Sequence, residues 1–122
     1  MMRLPLTSFA NKPFPHGQGV GVFEPAVYAS MLATWPPEDL YFELKGPYSK
    51  FALSERCNRD KYALFVGAHP VWRAFHEYLK TDAFRETVFS VFRTQGWAFP
   101  AGQYYARFEF SSLPAAGGRI EP

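Results

Sequence analysis

Residues 104–111 read Tyr-Tyr-Ala-Arg-Phe-Glu-Phe-Ser, and the alternation inside them restricts the fold more than any other stretch. Successive side chains of a strand point to opposite faces. Tyr104, Ala106, Phe108 and Phe110 therefore share one side of an extended backbone, and Tyr105, Arg107, Glu109 and Ser111 share the other. The ring-bearing side must be covered by something apolar, while the other side carries two charges. Pro114 stops the strand, Ala115-Ala116-Gly117-Gly118 supplies a turn, and Arg119-Ile120-Glu121 begins a second extended stretch.

Helices supply the cover. Glu24-Pro25 opens one over residues 25–35, since a proline in the first turn loses no hydrogen bond, and Tyr28, Met31, Leu32 and Trp35 form its apolar stripe until Pro36-Pro37 ends it. A second runs over 70–80 behind His69-Pro70, with Val71, Phe75, Tyr78 and Leu79 on its stripe and Trp72 beside it. Thr81 or Asp82 caps a third over 83–94, whose face is Phe84, Val88, Val91 and Phe92 and whose end is Gly96. The last two, joined by so short a link, are expected to pack as an α-hairpin on a sheet, which makes the fold class α+β. Prolines keep residues 5–15 extended, and a short strand is expected over 19–23. Residues 40–42 and 50–54 read as strands, Gly46-Pro47-Tyr48 as a turn, and the cluster Arg56, Arg59 and Lys61, interrupted by Glu55 and Asp60, as a solvated loop.

Phe, Tyr and Trp make up 19% of the 122 residues. A domain of this size buries only about two-thirds of its unfolded surface. Some rings are therefore expected to face a partner outside the chain. The net charge of +2 is spread without a clustered basic face, which leaves no footprint for nucleic acid. The lone Cys57 excludes an intrachain disulfide and so points to a reducing compartment or is silent about secretion, and no run approaches the ~20 apolar residues of a membrane span. A cytoplasmic protein is the expectation. Gly17, Gly19 and Gly21 alternate without the spacing or the following lysine of a phosphate loop. His16, His69 and His76 lack a His-x-Asp or His-x-Glu pair and any zinc spacing, so all three read as surface or cap residues and no metal ligand is assigned.

The segment from Ala106-Arg107-Phe108-Glu109-Phe110 through Ser111-Ser112-Leu113-Pro114, followed by Gly117-Gly118-Arg119-Ile120-Glu121-Pro122, resembles the approach to the iron site of 2-oxoglutarate/Fe(II)-dependent oxygenases of the prolyl-hydroxylase-like kind. Lys12-Pro13-Phe14-Pro15-His16, residues 23–35 and the short helices around Trp72 and Phe92 extend the resemblance over most of the chain. It implies helices buttressing a double-stranded β-helix, or jelly roll, whose C-terminal half is missing here. The family's His-x-Asp iron motif would follow next. Residues 1–122 would then be the N-terminal portion of a single oxygenase domain, without catalytic residues or iron ligands and inactive alone. The full-length dioxygenase would use Fe(II) and 2-oxoglutarate to hydroxylate a small-molecule or peptide substrate. The second reading is a complete small α+β module that binds protein or carbohydrate without catalysis.

Arg107 and Glu109 occupy the face opposite Phe108 and Phe110. If that face looks into a cavity, Arg107 suits capture of a carboxylate, of 2-oxoglutarate or an acidic substrate, with Glu109 and Tyr105 as substrate contacts. If it looks into solvent, Arg107 and Glu109 are neighbouring charges on a solvated surface.

Overall fold

The computed structural model describes residues 2–46 and 50–112. The proline-rich opening forms a hairpin: β1 (Leu6–Ala10) pairs antiparallel with β2 (His16–Gly19). Close approach explains the glycines of β2. A Cβ at Gly17 would lie 2.9 Å from the Ser8 carbonyl oxygen, and one at Gly19 would lie 2.6 Å from that of Pro5. The strand thus occupies residues 16–19 instead of the expected 19–23, and Gly21, at φ +66°, turns the chain away.

Helix α1 (Pro25–Ala33) starts on its proline and is followed by Thr34, whose hydroxyl donates back to the Ser30 carbonyl at 2.7 Å. The expected stripe is corrected here. Met31 is buried with Val27 packed beside it, whereas Tyr28, Leu32 and Trp35 are about half exposed. Pro25-Ala26-Val27-Tyr28-Ala29-Ser30-Met31-Leu32-Ala33 is apolar nearly all round, so its periodicity selects no face and tertiary contact makes the choice.

A single 3₁₀ turn at Glu38–Leu40 leads to β3 (Phe42–Leu44). Strand β4 (Lys50–Ser54) is central in an antiparallel sheet of order β3-β4-β5, where β5 is Glu109–Ser112. Leu53 stands opposite Phe110, and both are buried. The exit from β4 is a tight turn. Ser54 donates its N–H to the Cys57 carbonyl, while its Oγ accepts from the N–H groups of Arg56 and Cys57 at 3.1 and 3.0 Å.

The next segment differs most from expectation. Residues read as a solvated loop enter helix α2 (Arg59–Ala68), preceded by Asn58 in the left-handed region at φ 66°. The Asn58 side-chain amide donates to the Leu40 carbonyl, which ties this corner to the segment before β3. Tyr62, Phe65 and Val66 are its buried residues, at i, i+3 and i+4. Of the charges that suggest a loop, Arg59, Asp60 and Lys61 lie exposed in its first turn, and Glu55 and Arg56 precede it.

Helices α3 (Pro70–Leu79) and α4 (Asp82–Thr94) fall within a residue of the expected 70–80 and 83–94. The Thr81 hydroxyl caps α4, accepting from the Phe84 N–H at 3.3 Å. Trp72, Phe75 and Leu79 of α3 are buried, but no residue of α4 is fully buried. Phe84, Val88, Val91 and Phe92 are covered only in part.

The alternation of residues 104–111 survives, although ladder pairing covers only Glu109–Ser112. Ala106 and Phe108 are half-buried and Phe110 is 1% exposed, while Tyr105, Arg107 and Glu109 face outward. Residues 104–108 have no strand partner among the described residues. Tyr104 instead sets its ring on Phe89 and Phe99 and donates its hydroxyl to the Pro100 carbonyl at 2.5 Å.

Phe110 is the hub of the core. Its ring centroid lies 4.7 Å from Trp72, 5.3 Å from Trp35, 5.7 Å from Phe65 and 4.8 Å from Phe108. A second aromatic group joins β1 to α4, with Phe9 edge-on to Phe92, Phe99 stacked on Phe89, and the Trp97 indole donating to Asn11 Oδ1 at 2.9 Å. Among the described residues the architecture is α+β, with four helices, a hairpin and a three-stranded sheet. The Pro47-Tyr48 turn, the Gly117-Gly118 turn and the second strand at Arg119 lie outside the described residues.

Phe110→Ala should cost about 3–5 kcal/mol in urea unfolding, as for other large aromatics removed from a packed core. Tyr105→Ala, on the opposite face, should stay within about 0.5 kcal/mol of the parent. Equal effects at the two positions would contradict the facing assigned to this strand.

Candidate functional site

An open groove of about 1220 Å³ lies where three parts of the chain meet. One is the turn after β4, contributing Ser54, Glu55, Arg56 and Cys57. Another is the α3–α4 junction with the first half of α4, which brings Lys80, Phe84, Arg85, Val88 and Phe89. The third is the run from Tyr104 to Glu109. The strand parity read from sequence puts Tyr105, Arg107 and Glu109 outward, and the fold brings all three to this groove. Arg56, Lys80 and Arg85 were not grouped with them from sequence, because they come from segments remote in the chain.

The expected Arg107 to Glu109 contact is not formed. Glu109 instead pairs with Lys50 at 2.8 Å and accepts from the Ser111 hydroxyl at 2.6 Å. The Lys50 hydrogen bond, helped by Ser111, holds the Glu109 carboxyl below its ordinary value. Glu55 is lowered in the same way by the hydrogen bond from Lys80 at 2.8 Å. Arg85 pairs with Asp82 at 2.9 Å, one turn back on α4. Among the described residues, neither Arg56 nor Arg107 has a carboxylate partner.

Each histidine has its own neighbour. His16 Nδ1 lies 2.8 Å from the Phe14 carbonyl, and His69 Nδ1 lies 2.9 Å from that of Phe65. His76 corrects the sequence reading, since it is half-buried and its Nδ1 is 2.9 Å from the Tyr62 hydroxyl. Among the described residues, no three His, Cys, Asp or Glu side chains converge as a metal site. Cys57 is half-buried at the groove wall. No helix among the described residues is long and apolar enough to cross a membrane.

Burial, aided by the negative charge of Glu55, pushes the Tyr62 phenol up to about 12. The comparisons with known proteins add no neighbour: no family model, curated protein or solved structure matches the chain.

Two titrations check this electrostatic arrangement. Removing the cation in Lys50→Met should raise the Glu109 pKa, read by carboxyl NMR; an unmoved carboxyl would show that the ion pair does not hold it. The Tyr62 phenol titrates near 10 in the unfolded chain and near 12 in the folded one. The folded state therefore holds the proton more tightly, so the contribution is whole below pH ~10 and declines as pH rises towards ~12. Tyr62→Phe should flatten stability against pH across that window and cost about 1 kcal/mol at neutral pH.

Proposed function

We propose that the described residues are the support layer of an Fe(II)/2-oxoglutarate-dependent dioxygenase, a hydroxylase. The observation that carries this reading is the two-sidedness of β5 and the run before it. Phe110 is held in the helical core, while Arg107 and Glu109, on the opposite side of the strand, line an open groove together with Phe108. A helix-buttressed sheet with an open groove beside it suits the N-terminal portion of an oxygenase jelly roll, whose remaining strands would follow β5.

The residues present do not fit a ferrous centre. The 122 residues contain no His-x-Asp or His-x-Glu pair. The three histidines are engaged separately, with Phe14, Phe65 and Tyr62. No step through iron is assigned to these side chains, and their part is to hold the sheet. Arg107 is the residue able to receive a carboxylate, of the cosubstrate or of an acidic substrate, with Tyr105 and Glu109 beside it. The single Cys57, free of any disulfide, supports a cytoplasmic setting for this enzyme.

The reading is tested by the coding sequence after Pro122. A His-x-Asp motif within the next few codons is expected, and protein extended through it should bind Fe(II) and convert 2-oxoglutarate to succinate. A stop codon directly after Pro122 would overturn the oxygenase reading in favour of a small binding module.

A further inference from the structure

The groove carries an inference that does not depend on iron chemistry. We propose that it is a docking site for an acidic peptide segment of a partner protein, one in which carboxylates alternate with apolar side chains, and that Arg56 and Arg107 are its anchors.

At about 1220 Å³ the groove is larger than the ~300–1,000 Å³ that encloses a typical small ligand, and it is open to solvent. That size and openness suit a peptide segment better than a compact metabolite.

The floor of the groove is apolar. Phe84, Val88 and Phe89 of α4 line the groove with Phe108, yet α4 has no fully buried residue. An amphipathic helix whose apolar face is only half covered retains surface that a partner's side chains can bury.

Charge decides which partner. Four cations, Arg56, Lys80, Arg85 and Arg107, line the groove against two carboxylates, Glu55 and Glu109. Lys80 occupies Glu55, Lys50 occupies Glu109, and Asp82 holds Arg85. Among the described residues, Arg56 and Arg107 are left without a carboxylate partner. Ser54 stands opposite Glu109 in the β4-β5 ladder, so Arg56 and Arg107, each two residues beyond that pair, emerge at the same end of the sheet. Two guanidiniums lining one groove leave it an excess of positive charge, and an incoming carboxylate offsets this while accepting paired N–H donors. A basic or neutral segment gains nothing there. An acidic one with apolar residues between its charges satisfies walls and floor together.

The test uses the full 122-residue chain and fluorescence anisotropy. The probe is a fluorescein-labelled peptide alternating Glu with Leu and Phe, compared with counterparts carrying Gln or Lys in place of Glu. The acidic peptide should bind in a salt-sensitive way, and the Gln counterpart should bind roughly tenfold more weakly or worse. Arg56→Gln and Arg107→Gln should each weaken the acidic peptide by roughly five- to tenfold, with unchanged circular dichroism, since both side chains are on the surface. Val88→Asp, across the groove, should weaken it independently of either arginine. Equal binding of the three peptides, no binding, or no effect of both arginine variants would overturn the proposal. So would displacement by 2-oxoglutarate as readily as by unlabelled peptide, which would mark a small-acid site, or preferential displacement by a single-stranded oligonucleotide. The oxygenase reading fails separately. A chain with no downstream iron motif that still binds the acidic peptide keeps this inference and loses that one.

Discussion

The packing of one ring, Phe110, sets the geometry on which the rest of the structure depends. Its edge-to-face contacts reach Trp35 after α1, Phe65 on α2 and Trp72 on α3, so a single strand residue joins three helical segments to the sheet. Each such aromatic pair contributes about 0.5–1.5 kcal/mol beyond the area it buries. The larger effect is on register. Side chains of a strand alternate, so placing Phe110 inward obliges Glu109 and Arg107 to face outward, and a slip of one residue would exchange the two faces. The charged wall of the groove is thus a consequence of where one phenylalanine is buried.

The groove's electrostatics follow from which ion pairs form around it. Strand β4 carries Lys50 on the same face as Glu109, close enough for a 2.8 Å pair, and the end of α3 brings Lys80 to Glu55 at the same distance. Both pairs are partly exposed and contribute little to stability. Their effect on the groove is larger, since each occupies a carboxylate that would otherwise neutralise a neighbouring arginine. The resulting field is that of a partly solvated surface, so its influence on a ligand is screened by salt within about a Debye length.

The aromatic excess is also resolved in part. Many rings are consumed by two clusters, one around Phe110 and one joining Phe9, Phe92, Phe99 and Phe89. Others stay on the surface, among them Tyr28 on α1 and Tyr105, which is 79% exposed. Tyr105 lines the groove, and its hydroxyl is engaged in donating to Gln103 Oε1.

Local rules determined α3 and α4 to within a residue, strand β4, and the inward and outward sides of residues 104–111. These depend on spacing, caps and prolines within a few residues. Parity alone places Tyr105, Arg107 and Glu109 outward, but it does not define the groove, which Ala106 and Phe108 of the other parity also line. Tertiary structure decided the rest. The charges before Tyr62 obscured α2, whose apolar residues become informative only once Leu53 and Phe110 provide a surface for them. The face of α1 was undetermined because nearly every side of that helix is apolar. The grouping of Arg56 and Arg85 with Arg107 required the β4-β5 ladder and the α3–α4 turn to bring together segments distant in sequence. Periodicity reports which side of an element is apolar, and only packing reports what that side meets.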